Sequence, residues 1–236
     1  MRERLLRCSA IRDEYARSIE TCIEQTPKPE PGQRFRQVPH VIGLTAFAES
    51  YLYEAKNFLR DLLSLFAAVY QCDLKEASAF ASLKDTGDGD LVKWAAERFG
   101  DDHRLTRLLR SDQDWIAEVI RKRNAVEHPG GYSGTLELHN IRVHPEEPDK
   151  FILPTWGRTG CPHSYVLTDF DALLENLLTL AEDLLAEVAL IESGIAELRV
   201  YQIAETERDK ACPIRLRVGL SAEFMKTHFP SGQSTQ

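Results

Sequence analysis

The residues best suited to chemistry lie together near the middle of the chain, where an apolar helix pattern ends. The segment 121–131 reads Arg-Lys-Arg-Asn-Ala-Val-Glu-His-Pro-Gly-Gly. Arg123 lies four residues after Val119 and three after Ile120, so it continues the apolar stripe that these residues form. A guanidinium on a packed face is costly unless it is paired. We therefore expect at Arg123 either a structural ion pair or a site for an anion.

Arg123, Asn124 and His128 resemble the signature of the HEPN superfamily, in which about four to six residues separate an arginine from a histidine. Other pairs have similar spacing but are interrupted by glycine or proline: Arg98 and His103, Arg158 and His163, Arg34 and His40. The resemblance covers roughly residues 44–190. It implies a mainly α fold built as an antiparallel helical bundle. It also implies, for many members, a ribonuclease whose two copies bring their Arg and His pairs into one cleft.

The pair can be assigned roles in RNA cleavage. Residues five apart on a helix lie about 140° apart around its axis, but His128 precedes Pro129, which disfavours helical backbone and frees the histidine to turn towards Arg123. Histidine can exchange a proton near neutral pH, and arginine can bind a phosphate through two N–H groups. We expect His128 to act on the 2'-hydroxyl or the leaving oxygen, Arg123 to stabilise the phosphorane, and Asn124 to support them, without metal or cofactor.

The function we expect is that of a metal-independent endoribonuclease in RNA turnover, toxin-antitoxin control or phage defence. Its expected partners are RNA, a second copy of the chain and possible protein partners such as an antitoxin. A catalytically silent HEPN-like module that binds RNA or protein is the first alternative. A structural helical scaffold whose long acidic helix docks a partner is the second alternative. In that case Arg123 pairs with a core carboxylate and His128 caps its helix. A basic cleft would favour the first two, and a salt-bridged arginine the scaffold.

Composition sets the broad class. With 236 residues, 43% of them hydrophobic and 28% charged, we expect one domain over residues 1–210, followed by a C-terminal strand and tail at 211–236. The five cysteines form no C-x-x-C pair, and neither a signal peptide nor a membrane span is evident, so we expect a cytoplasmic protein. The net charge of -8 is carried by residues 168–210, whereas the densest group of basic residues lies at 101–128. Arginines 104, 107 and 110 in that group favour a solvated helix face over an RNA contact.

Apolar spacing predicts helices at 3–24, 44–70, 91–99 and 112–127, and a longer one that begins at Asp169. Ser111 with Asp114, and Thr168 with Asp171, predict capping boxes for the last two. The apolar stripe of this last helix continues at alternating spacings of four and three residues to Ile195 and Leu198, with a possible kink at 193–194.

Between the last two predicted helices the pattern changes to that of strands. It indicates a β insert at about 132–167, with a bulged hairpin over 136–153 and a short strand at 165–167, and a further strand at 214–218. The insert carries four residues of types that bind zinc, His139, His144, Cys161 and His163, but their spacing matches no closed site. We expect surface histidines and no metal.

Overall fold

A computed structural model describes residues 1–27, 37–83, 87–147, 150–208 and 215–228 of the chain. These residues form a mainly α structure with small antiparallel sheets, as the sequence predicts. The predicted strand residue Ile214 and the end of the predicted tail at 229–236 fall outside this part of the chain. Within it, no helix is both long and apolar enough to cross a membrane.

The described residues contain seven α-helices: α1 Arg2–Glu24, α2 Leu44–Tyr70, α3 Asp90–Phe99, α4 Arg104–Ser111, α5 Gln113–Glu127, α6 Val166–Ser193 and α7 Ala222–His228. The apolar spacing therefore located the first four predicted helices to within one residue at each end. The predicted start of α6 at Asp169 is wrong, because the helix already begins at Val166.

Neither predicted capping box forms. Ser111 is the last residue of α4, and its hydroxyl donates to the Leu108 carbonyl instead of capping α5. Thr168 already lies inside α6, so it has no free first-turn N–H groups to cap. The apolar stripe of α6 also ends earlier than predicted, because Gly194 adopts φ +60° and ends the helix. Leu198 therefore lies in a strand.

Buried aromatic side chains hold α1, α2 and α6 together. The Tyr51 ring stacks on Phe170 with 3.9 Å between centroids, and its hydroxyl donates to the Phe170 carbonyl at 2.7 Å. Tyr15 of α1 packs against the same phenylalanine. Burial of such rings removes large apolar areas from water, so these contacts are a main source of stability for the bundle.

Cross-helix contacts fix the helix directions. Arg4 pairs with Glu54 and Tyr15 packs against Phe47, so α1 runs antiparallel to α2 as predicted. In contrast, α2 and α6 run parallel, because Phe170 lies beside Tyr51 near their beginnings and the charge of Glu192 acts on Tyr70 near their ends. Alternate helices of an antiparallel bundle are parallel to each other, so this pair does not contradict the predicted antiparallel bundle, which stays a prediction. α6 begins where α5 finishes, because Lys122 near the end of α5 binds Asp169 in the first turn of α6.

The segment after α5 forms a long hairpin with four strands: β1 Leu136–His139, β2 Arg142–Val143, β3 Phe151–Ile152 and β4 Thr155–Arg158. β1 pairs with β4 and β2 with β3 in one continuous register, in which Leu136 lies opposite Arg158 and Val143 opposite Phe151. Two residues on each side separate the two pairs. The predicted bulge is therefore wrong, since a bulge needs an extra residue on one side only.

The side chain of Asn140 replaces strand pairing at this interruption. Its Oδ1 accepts from the Val41 N–H and its Nδ2 donates to the Val41 carbonyl, both at 2.9 Å. The amide thus offers Val41 the donor and acceptor that a neighbouring strand would offer. These two bonds tie the hairpin to the segment that leads into α2.

Three further strands complete the β structure. β5, Ser164–Tyr165, pairs with β4 and covers only the first residue of the predicted strand at 165–167, because α6 begins at 166. β6, Leu198–Gln202, pairs antiparallel with β7, Leu216–Leu220, which confirms a strand near the C-terminal end of the described chain.

Candidate functional site

The residue of α5 that enters the core is Lys122 rather than Arg123. The Lys122 side chain is 8% exposed, and its Nζ lies 2.7 Å from Asp169 Oδ2. The same oxygen accepts from Trp156 Nε1 at 2.6 Å and from Ser164 Oγ at 2.5 Å. Lys122 Nζ also lies 4.4 Å from the centroid of the Trp156 ring. This buried network joins α5 to β4, β5 and α6, and it satisfies a charge that would otherwise be costly to bury.

Arg123 lies at the edge of the core, with 14% of its side chain exposed. One terminal nitrogen is 3.1 Å from Glu127 Oε1, one turn further along α5, and the guanidinium carbon is 5.6 Å from the centroid of the Tyr53 ring. Its Nε is buried and meets no hydrogen-bond acceptor among the residues that the structure describes. Of the two expected alternatives an ion pair is therefore present, but its partner is the exposed Glu127 and not a core carboxylate, and it uses only part of the guanidinium.

Glu127 is the centre of the charges at this end of α5. Lys56 of α2 donates to Glu127 Oε2 at 2.9 Å, while Arg123 binds the other oxygen. Burial alone would raise the pKa of the Glu127 carboxyl, but the hydrogen bond from Lys56 and the charges of Lys56, Arg123 and His128 hold that pKa below its ordinary value. The carboxylate is therefore ionised at neutral pH.

His128 ends α5 as the proline after it predicts. Its backbone, with φ -135° and ψ 70°, has left the helical region, while its N–H still bonds to the Asn124 carbonyl at 2.8 Å. The residue is exposed, and its charge acts on Glu127. Arg123 and His128 therefore share a neighbour, although the structure gives no direct bond between their side chains.

Asn124 completes the group. Its Oδ1 accepts from Lys56 Nζ at 3.4 Å, so it helps to hold the lysine beside Glu127. We call Lys56, Arg123, Asn124, Glu127 and His128 the α5-end cluster. It combines one carboxylate, one imidazole, one amide and two basic side chains near the surface.

Two members of the α5-end cluster were not expected from the sequence. Glu127 could have been found, because a carboxylate four residues after an arginine is the usual spacing of a helical ion pair. Lys56 gives no such signal, because it lies on α2 and only the packing of α2 against α5 brings it near.

The arginine series on α4 has acidic partners. Arg104 Nε lies 3.2 Å from Glu187, and Arg110 binds both Asp88 and Asp101 at 2.8 Å, while Arg107 is exposed. Such pairing fits the expected solvated face better than an RNA contact.

The insert histidines divide into two groups. His139 and His163 lie together, with ring centroids 4.8 Å apart, and Glu137 Oε2 is 3.2 Å from His163 Nε2. His144 instead accepts from the backbone N–H groups of Glu146 and Glu147 in the β2–β3 turn. Glu137 was missed by the sequence analysis, although its spacing of two residues from His139 places both side chains on one face of β1.

The α5-end cluster therefore contains all three residues that resemble the HEPN signature. Its contacts lie within one chain, between α2 and the end of α5. Comparisons with protein-family models, with curated proteins and with solved structures find no match to this chain.

Proposed function

We propose that the protein is a metal-independent endoribonuclease of HEPN type, with the α5-end cluster as its active site. The observation that supports this most is that Lys56, Arg123 and His128 all act on Glu127 at an exposed helix end. Cleavage of RNA by its own 2'-hydroxyl needs a proton acceptor, a proton donor and cations beside the phosphate. The cluster offers one side chain for each of the first two tasks and two for the third.

In the proposed reaction the 2'-oxygen attacks the adjacent phosphorus while the bond to the 5'-oxygen breaks. Glu127, ionised at neutral pH, takes the proton from the 2'-hydroxyl. Protonated His128 gives a proton to the departing 5'-oxygen. The products are a 2',3'-cyclic phosphate and a 5'-hydroxyl, so DNA, which lacks the 2'-hydroxyl, is not a substrate.

Arg123 and Lys56 are proposed to bind the phosphate. Arg123 already has one nitrogen beside Glu127 and a buried Nε without an acceptor among the described residues, so a turn of the side chain towards a phosphate would gain a partner for that group. Lys56 contributes a second positive charge, and Asn124 holds it in place.

The proposed assembly is a homodimer in which the ends of two α5 helices meet around a two-fold axis. Tyr53 and Tyr132, with 48% and 77% of their surface exposed, lie on α2 beside Arg123 and just after α5. Exposed aromatic residues next to a charged site are suited to contact a second copy or to stack on RNA bases. RNA turnover, toxin-antitoxin control with an antitoxin partner, and phage defence remain the proposed settings.

A specific contact favours a second candidate, a silent binding or scaffold module. Arg123 is neutralised by Glu127 within its own helix, and Lys56 by the same carboxylate. An arginine and a lysine paired in this way can serve stability alone.

Cleavage of single-stranded RNA by purified variants separates the two candidates. His128→Ala should abolish cleavage and leave RNA affinity within about twofold, because the imidazole moves a proton and contributes little to binding. Arg123→Ala should abolish cleavage and weaken binding by roughly 10- to 100-fold, and Arg123→Lys should restore little activity, because a point charge cannot replace the guanidinium fork.

Matched controls are available for both positions. His228→Ala removes a histidine from the end of another helix, and Arg107→Ala removes an exposed arginine of α4. Both controls should cut RNA like the unchanged protein, and chelators should not slow it. If the unchanged protein cuts no RNA, or if His128→Ala cuts it at the same rate, the second candidate replaces the first.

A further inference from the structure

A second group of chemically active side chains lies on the β insert, apart from the α5-end cluster. Glu137 and His139 project from one face of β1, and His163 approaches them from the turn before β5. The ligand atoms of these three residues lie within 4.8 Å of one another. Among the histidine, cysteine and carboxylate side chains that the structure describes, these three lie close enough together to hold a metal ion.

A glycine makes the approach of His163 possible. Gly157 of β4 pairs with Glu137 of β1, and the His163 ring lies directly over its backbone. A Cβ atom at position 157 would overlap carbon and nitrogen atoms of that ring. Any other residue here would push His163 away from Glu137 and His139. The lack of a side chain at Gly157 therefore leaves room for the His163 ring on the face of the sheet that carries Glu137.

In place of the surface histidines without metal that the spacing led us to expect, we propose that Glu137, His139 and His163 bind a divalent transition-metal ion of the zinc class. Two imidazole nitrogens and one carboxylate oxygen are ligands that zinc prefers, while calcium and magnesium favour sites made of oxygen alone. Water completes the coordination.

The spacing of the three ligand atoms suits such an ion after small side-chain movements. No two of them are more than 4.8 Å apart, so one point lies within about 2.8 Å of all three, and zinc bonds to nitrogen and oxygen measure about 2.0 to 2.2 Å. Rotation of the side chains can close this gap, because His139 is exposed and the side chains of Glu137 and His163 are 43% and 22% exposed.

The bound ion would restrict movement of the β insert relative to the helical bundle. His163 directly precedes Ser164, whose hydroxyl donates to Asp169 in the buried network of Lys122. A metal bond to His163 therefore limits the motion of the turn that presents Ser164. Because the ligands come together only in the folded chain, the free energy of binding adds to the stability of the fold.

Zinc binding can be measured directly on the full chain. The protein is purified with a removable tag that contains no histidine run, stripped with a chelator, and titrated with zinc chloride by calorimetry. We expect one zinc per chain with a Kd of roughly 1 μM or tighter, and a rise in the melting temperature. Cobalt(II) should bind at the same site and give visible absorption bands.

Ligand variants locate the site. His139→Ala, His163→Ala and Glu137→Gln should each weaken zinc binding by about 100-fold or more, since loss of even a supporting contact costs about 10- to 100-fold. Gly157→Ala should weaken it without removing a ligand. His144→Ala and Cys161→Ser, which alter the other two candidate ligands of the insert, should bind zinc normally.

Two outcomes would overturn the proposal. One is zinc affinity weaker than about 100 μM in the unchanged chain; the other is unchanged affinity in both His139→Ala and His163→Ala. Circular dichroism of the stripped variants shows whether each has folded. RNA cleavage is measured on the stripped protein as well, so that failure of the zinc proposal is distinguished from failure of the proposed nuclease.

Discussion

The buried pair of Lys122 and Asp169 should respond unequally to removal of its two members. Asp169→Asn takes away the carboxylate and leaves the ammonium of Lys122 only 8% exposed and without its counter-charge. Such an uncompensated charge costs about 3 to 5 kcal/mol. Lys122→Met leaves a carboxylate that is 24% exposed and still accepts from Trp156 and Ser164. Lys122→Met should therefore lower the free energy of unfolding by only about 1 to 2 kcal/mol.

Urea unfolding followed by circular dichroism measures both values. Lys93→Met is the matched control, because Lys93 pairs with Asp90 on the surface and should change the free energy of unfolding by no more than about 0.5 kcal/mol. Equal costs for Lys122→Met and Asp169→Asn, or a cost of less than about 1 kcal/mol for Asp169→Asn, would contradict the prediction.

Three further predictions concern other parts of the molecule. The pKa of Glu127 is lowered in the folded protein. The ionised carboxylate therefore stabilises the fold above its ordinary pKa of 4.5, and this stabilisation is lost as the pH falls through the lower folded pKa. Glu127→Gln should flatten the acid side of the curve of stability against pH. Burial raises the pKa of Cys8 to about 12, so its thiol should not react in the native protein. Iodoacetamide should modify the partly exposed Cys161 in the native protein and Cys8 only after unfolding, as mass spectrometry of peptides can check. Light scattering at micromolar concentration should give the mass of a dimer, and a monomer would contradict the proposed two-fold assembly.

The helical part of the fold was predictable because its signal is local. In α2 the apolar residues recur at helical spacing over 27 residues, and the structure places that helix at the predicted bounds. The start of α6 was misplaced because Thr168 and Asp171 imitate a capping box. The carboxylate of Asp171 instead pairs with Arg12 of α1, which lies far from it in the chain.

The candidate sites show the same limit. Val119 is followed three residues later by Lys122 and four residues later by Arg123, so the apolar stripe of α5 alone does not decide which cation is buried. Trp156 and Asp169 decide it, through contacts between distant segments. The convergence of Glu137 with His163 likewise depends on the pairing of β4 with both β1 and β5, which spacing in the sequence does not reveal.

The insert is an integral part of the folding unit. Asn140 serves as the hydrogen-bonding neighbour of Val41, and Trp156 and Ser164 supply donors to the carboxylate that neutralises Lys122. A shortened chain without the insert would leave these groups of the helical body without their partners. Helices and insert should therefore unfold in one cooperative transition, and engineering that treats the bundle as an independent scaffold should fail.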